Sequence, residues 1–189
     1  AIAIGCFLDP AMQEARELVK IPVLGLGECT MLMACMYGHK FSGIAFHKKQ
    51  SQYYDRKAFE YGLSSRHIPF GDLGIDFTEV QKAFTDPGQM TENFLKESRR
   101  LASEGAEVIL AACATVNAII RREKITEVDG ALIMDCNAVL LKTTEAMADL
   151  SKTVGLNASR RLLYQSPTQD ALKQWKQIYG FRSASDLRN

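Results

Sequence analysis

The chain has 189 residues, of which 47% are hydrophobic, and its 23 basic and 22 acidic side chains leave a formal net charge of +1. This content is enough for a sizeable core in one large domain or two small lobes. The interspersed charges exclude a basic nucleic-acid-binding face, and no apolar run approaches the ~20 residues that a membrane-spanning helix needs. We therefore expect a soluble, cytoplasmic protein whose partners include no nucleic acid and no membrane.

Short apolar runs alternate with helical stretches along the chain, which predicts an α/β fold with mainly parallel strands. The predicted strands are residues 1–5, 22–26, 41–46, 65–69, 107–112 and 131–135. The predicted helices are residues 10–19, 28–37, 49–61, 88–104, 115–123, 137–154 and 168–178. Residues 71–87 are predicted to form a long loop, either near a ligand cleft or as a connector between lobes.

One unit of strand, cysteine, helix and strand occurs twice, at residues 1–26 and at residues 107–135, as two pseudo-equivalent lobes would produce. Ligands of parallel α/β sheets bind beyond the carboxyl ends of the strands, so two facing lobes would enclose one cleft. Residue 1 is not Met and already lies in a predicted core strand. We interpret this as a first lobe that lacks its N-terminal part.

The five cysteines and three histidines restrict the chemistry that the chain can carry. An odd number of cysteines without a secretory signal favours a reducing compartment over a disulfide scaffold. The spacing of Cys29 and Cys35 does not match a zinc motif, so we expect no metal site. Both cysteines fall among apolar residues of a predicted helix, where core packing is the default interpretation. Cys136, at the end of a predicted strand, is a further candidate for a cleft thiol.

Cys6 and Cys113 occupy the same setting, each just past an apolar strand and shortly before a helix. A thiolate is most easily held beside a helix N-terminus. Two opposed thiols suit proton exchange at a carbon next to a carbonyl, because one thiolate can remove the proton while the opposite thiol delivers another. The alternative is that each cysteine is a small buried hydrophobe. The chemistry itself needs no cofactor.

Further residues at the predicted strand ends are candidates for substrate contacts. Gly27 and Glu28 follow a strand in a glycine-containing turn that lets the backbone approach a ligand, although Glu28 also suits the dipole of the following helix. The turn lacks the third glycine of a dinucleotide motif. Thr115 and Asn117 follow Cys113, and Thr115 also suits a helix cap. His47 follows another strand, where a surface histidine beside two lysines is the ordinary alternative.

Several stretches resemble the hydantoin racemase branch of the aspartate/glutamate racemase superfamily. The specific blocks are Gly5-Cys6-Phe7-Leu8-Asp9-Pro10, Ala15-Arg16-Glu17 and Ile21-Pro22-Val23-Leu24-Gly25-Leu26-Gly27-Glu28. Weaker likeness continues through Gly38-His39-Lys40-Phe41-Ser42, Tyr61-Gly62-Leu63 and Cys113. The resemblance thus extends over most of the chain and is strongest around the first cysteine.

The resemblance implies a cofactor-independent racemase or epimerase, an isomerase that acts on hydantoins, allantoin or acidic amino acids. Members have two flavodoxin-like lobes with parallel sheets and a ligand cleft between them, and one cysteine comes from each lobe. By that resemblance Cys6 and Cys113 are the acid/base pair, and Phe7 joins the substrate-binding residues. The first lobe is then residues 1–40 plus 136–189, and the second is residues 41–135. A homo-oligomer with a small-molecule substrate, no cofactor and no metal is expected.

Three alternatives stay open at this point. Decarboxylases of the superfamily protonate with one cysteine, and maleate isomerases use one cysteine for addition to a double bond. A non-catalytic small-molecule-binding module is the third alternative. It is motivated by Leu110-Ala111-Ala112-Cys113-Ala114-Thr115 and Ala45-Phe46-His47-Lys48, which depart from the family pattern.

Overall fold

Strands and helices alternate along the computed structural model, which describes residues 1–180. The strands are β1 (Ile2–Ile4), β2 (Val23–Gly25), β3 (Phe41–Ala45), β4 (Gly71–Asp72), β5 (Val108–Ala111), β6 (Glu127–Val128) and β7 (Ala131–Met134). The helices are α1 (Met12–Leu18), α2 (Leu26–Tyr37), α3 (Lys48–Glu60), α4 (Phe77–Lys82), α5 (Gly88–Ser103), α6 (Ala114–Arg122), α7 (Cys136–Val154) and α8 (Gln169–Tyr179).

The strands of the described residues form two sheets. Strands β1 and β2 pair in parallel, with Ile2 beside Val23. The other sheet has the order β4-β3-β5-β7-β6, in which every pair is parallel except β6 with β7. Because β3, β4, β5 and β7 run the same way, their carboxyl ends meet at one edge of this sheet. The predicted α/β class with parallel sheets is therefore confirmed.

Two apolar clusters hold the elements together. One contains Phe7, Leu26 and Leu110, so side chains around the small sheet share a core with one face of the five-stranded sheet. The other contains Ile109 and Phe94, between the opposite face of that sheet and the helices α5 and α6. Ile109 and Leu110 are neighbours in β5 and point to opposite faces, as the two-residue period of a strand requires.

The segment after α3 differs from the prediction, which had a strand at residues 65–69. His67 makes only a single bridge to Phe41, and the strand β4 begins later, at Gly71. Pro69 has no N–H to donate, which interrupts a ladder at that point. The next N–H, that of Phe70, donates to the Asp55 carboxylate at 2.8 Å instead. The prediction of a strand over this range was therefore wrong.

Residues 71–87 also differ from the predicted long loop, since they contain β4 and α4. Helix α4 begins with a capping box. The Asp76 carboxylate accepts from the N–H of Glu79 at 2.9 Å, and the Glu79 carboxylate accepts from the N–H of Asp76 at 2.8 Å. These reciprocal bonds satisfy two of the N–H groups that a short helix would otherwise leave open.

The division of the chain into lobes of residues 1–40 plus 136–189 and 41–135 stays a prediction, as does the cleft between them. Residues 181–189 of the first lobe lie outside the described residues. Within residues 1–180, no helix combines the length and the apolar character that crossing a bilayer would take.

Candidate active site

Cys6 lies in the turn that follows β1, and its side chain is exposed to solvent. The next residue, Phe7, is 1% exposed and packs edge-on against Tyr54, with ring centroids 4.7 Å apart. Phe7 also packs edge-on against Phe70 at 6.0 Å. The turn is closed by the N–H of Asp9, which donates to the carbonyl oxygen of Cys6 at 3.0 Å. A buried aromatic anchor thus holds the turn that presents the thiol.

Asp9 fastens the same turn to the N-terminus of α2. Its buried carboxylate accepts hydrogen bonds from the N–H of Gly27 at 2.8 Å, the N–H of Glu28 at 2.7 Å and the hydroxyl of Tyr61 at 2.7 Å. Burial raises the pKa of Asp9, and these three hydrogen bonds oppose the rise. Helix N-terminal N–H groups need such acceptors, so one carboxylate satisfies α2 and fixes the Cys6 turn.

The glycines of this turn allow the close approach. A Cβ at Gly27 would lie 2.3 Å from the carbonyl oxygen of Phe7, and one at Gly25 would lie 2.2 Å from a carboxylate oxygen of Asp9. Both positions therefore require glycine for packing. The Glu28 carboxylate pairs with the Arg16 guanidinium, and the Nη1–Oε1 distance is 3.0 Å. The predicted substrate contacts of Gly27 and Glu28 stay predictions beside these structural roles.

Cys113 follows β5 after one intervening residue, Ala112, and is the N-cap residue of α6. Its side chain is half-buried, and its carbonyl oxygen accepts from the N–H of Asn117 at 2.8 Å. The thiol therefore sits at the start of a helix, where the partial positive charge of the helix dipole favours an anion. Thr115 is half-buried in the first turn of the same helix.

Tyr54, on α3, packs against Phe7, the residue that follows Cys6. The side chain is 2% exposed, and burial raises the pKa of its hydroxyl above the ordinary value. The negative charges of Cys113, Cys6 and Asp9 raise that pKa further. Phe7 and Ala112, the chain neighbours of Cys6 and Cys113, lie in the same apolar cluster as Tyr54. No feature of the sequence around Tyr54 predicted this.

Asn117 is 1% exposed and has both ends of its amide engaged. Its Nδ2 donates to Oδ1 of Asp135 at 2.8 Å, and its Oδ1 accepts from the N–H of Cys136 at 2.9 Å. Asp135 is the N-cap of α7, so Asn117 joins α6 to the first turn of α7. His47 is exposed and caps α3, where its Nδ1 accepts from the N–H of Lys49 at 3.1 Å. Substrate contacts of Asn117, Thr115 and His47 stay predictions.

The remaining cysteines are held away from solvent to different degrees. Burial raises the pKa of Cys29 and of Cys136 to about 12, so both are neutral thiols at neutral pH. Cys35 is half-buried, and its Sγ donates to the carbonyl oxygen of Met31 at 3.4 Å. Among residues 1–180, no group of three or more His, Cys, Asp or Glu side chains could hold a metal ion.

Asp9 and Tyr54 are the site residues that sequence reasoning missed. Asp9 stands directly before the helix predicted at residues 10–19 and had no predicted role in the site. In the structure α1 begins at Met12, and the carboxylate of Asp9 caps α2 instead, 18 residues further along. The glycines at 25 and 27 were a usable signal, because a helix that begins at small residues leaves room for an acceptor from elsewhere.

Known proteins resemble this chain in sequence. A family model described as Asp/Glu/Hydantoin racemase matches residues 1–149. Hydantoin racemases from Pseudomonas sp. (strain NS671) and Rhizobium meliloti are 25% and 27% identical over 153 and 148 residues, which is 80% and 78% of this chain. A hydantoin racemase from Paenarthrobacter aurescens is 24% identical over 173 residues. The chain spans 59% of the length of the first two relatives and 68% of the third.

Solved structures show the same fold. The allantoin racemase from Klebsiella pneumoniae superposes with a TM-score of 0.73 at 20% identity, covering 99% of this chain and 69% of that one. The allantoin racemase AllR from Pseudomonas fluorescens gives 0.67 at 22% identity, covering 88% and 68%. The resemblance to the hydantoin and allantoin racemase branch is thus confirmed. Since the family match extends over well more than half of its residues, the chain belongs to the Asp/Glu/hydantoin racemase family.

Proposed function

We propose that this protein is a cofactor-independent racemase, in which Cys6 and Cys113 form an acid/base pair at a stereocentre beside a carbonyl. The observation that supports this most strongly is that Phe7 and Ala112, the chain neighbours of the two cysteines, share one apolar cluster with Tyr54. Each thiol also follows a β-strand after one intervening residue. Cys6 is exposed and Cys113 is half-buried, so neither sulfur is sealed in the core.

The proposed reaction moves one proton on and one proton off the same carbon. One thiolate takes the proton from the stereocentre and becomes a thiol, while the bonding electrons pass into the carbonyl to give an enolate. The opposite thiol then protonates the other face and becomes a thiolate. Atoms and charge balance, and the two cysteines have exchanged protonation states. The reverse reaction uses the same groups in exchanged roles.

The enolate oxygen needs hydrogen-bond donors. The first N–H groups of α6 have no acceptor within the helix, and they lie directly after Cys113. They are the proposed donors to the enolate, because preorganised N–H groups stabilise developing negative charge. The pKa of Tyr54 is raised by burial, so its hydroxyl stays protonated. We propose that it donates a hydrogen bond to a thiolate or to the substrate and thereby positions the reacting groups.

A hydantoin-type substrate fits this chemistry best. The relatives are hydantoin racemases, and the structural neighbours are allantoin racemases. Both names describe rings in which a stereogenic carbon lies next to a carbonyl, so the proton to be moved is activated by the substrate itself. The small-molecule substrate, a homo-oligomeric assembly and a cytoplasmic location belong to this proposal.

The test is racemisation of both enantiomers of a 5-substituted hydantoin, followed by circular dichroism. Cys6→Ser and Cys113→Ser are each expected to abolish racemisation. Cys35→Ser, at a half-buried cysteine whose thiol donates to the carbonyl oxygen of Met31, should keep the rate of the original protein. Loss of racemisation in only one of the two variants would leave a single essential thiol and would contradict the acid/base pair. Two fully active variants would contradict the proposal.

A further inference from the structure

A cavity of about 470 Å³ lies between β2, α2, α7 and the segment of residues 156–164. Neither Cys6 nor Cys113 lines it, and Glu28 is the one residue it shares with the predicted substrate contacts. Its walls are mainly aliphatic and thioether side chains: Val23, Leu24, Leu32, Met33, Met147 and Leu156. A volume of several hundred Å³ is typical of pockets that hold small molecules. Nothing in the proposed racemase chemistry uses this cavity.

The segment that closes the cavity is fixed in place. Arg160 donates hydrogen bonds to the carbonyl oxygens of Glu17 and Tyr164, each at 3.1 Å, and to that of Val19 at the end of α1. The carbonyl oxygens of Glu17 and Val19 lie at the C-terminus of α1, where the helix supplies no N–H donors, so a guanidinium is a favourable cap. The wall formed by residues 156–164 is therefore held by hydrogen bonds as well as by packing.

The charged residues in the wall neutralise one another. Arg16 pairs with Glu28, and it donates to the carbonyl oxygen of Val23 at 2.9 Å and to the hydroxyl of Tyr164 at 3.3 Å. Its guanidinium carbon also lies 5.6 Å from the centroid of the Tyr164 ring. The pair therefore offers no unbalanced charge to a ligand, and an ionic ligand would have to break it. This favours an uncharged occupant.

One polar atom of the wall has no partner among the described residues. The hydroxyl oxygen of Thr143 is buried without a hydrogen bond. On the same helix, Thr144 and Thr153 each donate to the carbonyl oxygen four residues earlier, at 2.7 Å. A buried hydroxyl without a partner costs free energy, and a ligand with a hydrogen-bonding group would recover it once the half-buried Thr143 side chain rotates its hydroxyl toward the cavity.

We propose that this cavity is a second binding site, which takes an uncharged and mainly apolar small molecule with one hydrogen-bonding group directed to Thr143. The aliphatic and thioether walls supply the apolar contact, and flexible methionine side chains adapt to the shape of the ligand. The site is separate from the thiol pair, so binding there does not depend on the racemase chemistry.

The test is a fluorescence titration of the full chain with N-phenyl-1-naphthylamine, an uncharged probe with one N–H group. Saturable binding of one probe per chain is expected. Leu32→Glu, at a half-exposed wall position, should weaken it at least about tenfold, because it places a charge against the apolar ligand. Thr143→Val keeps the shape and removes the hydroxyl, which should weaken binding about two- to tenfold.

Two controls make the test specific. Leu141→Glu makes the same change on the exposed side of α7, away from the cavity wall, and should bind the probe like the original chain. Cys6→Ser should also bind normally, which separates this site from the proposed catalysis. The proposal is wrong if binding is not saturable or if Leu32→Glu binds as tightly as Leu141→Glu. The proposal is also wrong if the original chain does not bind the probe and sedimentation shows that it is a dimer which Leu32→Glu dissociates. A second copy of the chain would then cover the cavity.

Discussion

Replacing Asn117 by alanine tests whether the buried amide is mainly a structural link between α6 and α7. The substitution removes two hydrogen bonds, the donation to the Asp135 carboxylate and the acceptance from the N–H of Cys136. A hydrogen bond to a charged group contributes about 1.5–3 kcal/mol, and a buried N–H left without a partner costs about 1–3 kcal/mol. Because Asp135 keeps other donors, we take the lower end of each range and expect a loss of about 2.5 kcal/mol.

The assay is urea unfolding followed by circular dichroism, which gives the free energy of unfolding and its dependence on urea. Asn137→Ala is the matched control, since this half-buried asparagine donates a single hydrogen bond to the carbonyl oxygen of Ala114 at 2.9 Å. We expect the control to lose about 0.5–1.5 kcal/mol. If Asn117→Ala were as stable as the control and only raised the KM, the amide would serve the substrate and the structural account would be refuted.

Further predictions concern the surroundings of the first thiol. Tyr54→Phe should lower kcat about tenfold and leave KM nearly unchanged. The free energy of unfolding should also stay nearly unchanged, because the ring still packs on Phe7. An unchanged kcat would exclude a role of the hydroxyl. Burial raises the pKa of Cys29 to about 12. At pH 8 its thiol should therefore react with iodoacetamide about a thousandfold more slowly than an ordinary thiol, and the rate should rise up to pH 12. Mass spectrometry of labelled peptides checks this against exposed Cys6, and equal rates would contradict it. Gly27→Ala should lower the midpoint of urea unfolding, since its Cβ would meet backbone 2.3 Å away; a fully stable variant would show that the turn can move.

The parallel framework could be predicted from the sequence because it depends on local patterns. The apolar runs before Cys6 and before Cys113 have the length and composition of buried strands, and both are strands in the structure. Only β5 is buried throughout, whereas β1 is largely exposed, so the prediction of a core strand at residue 1 was wrong. The capping box from Asp76 to Glu79 was also visible in the sequence, so α4 could have been predicted. The assignment of a loop there neglected that signal.

The surroundings of the thiols depend on contacts between distant residues, which local patterns do not encode. The carboxylate of Asp9 meets the hydroxyl of Tyr61, 52 residues away, and the choice of this partner follows from how α3 packs. Tyr54 lies beside the Cys6 turn because its ring packs on Phe7 in the shared core. In the sequence, Tyr54 is one of two adjacent tyrosines in a polar helix, and nothing distinguishes it from Tyr53.

The most direct test of two opposed thiols is isotope incorporation during the first turnovers in D₂O, starting from one pure enantiomer of a 5-substituted hydantoin. If one thiolate removes the proton and the opposite thiol delivers another, the product enantiomer should carry deuterium while the recovered substrate is still unlabelled. A reaction without protein measures the spontaneous exchange. Product that keeps the substrate's own hydrogen, or substrate that gains deuterium as fast as product, would contradict the assignment of Cys6 and Cys113 to opposite faces.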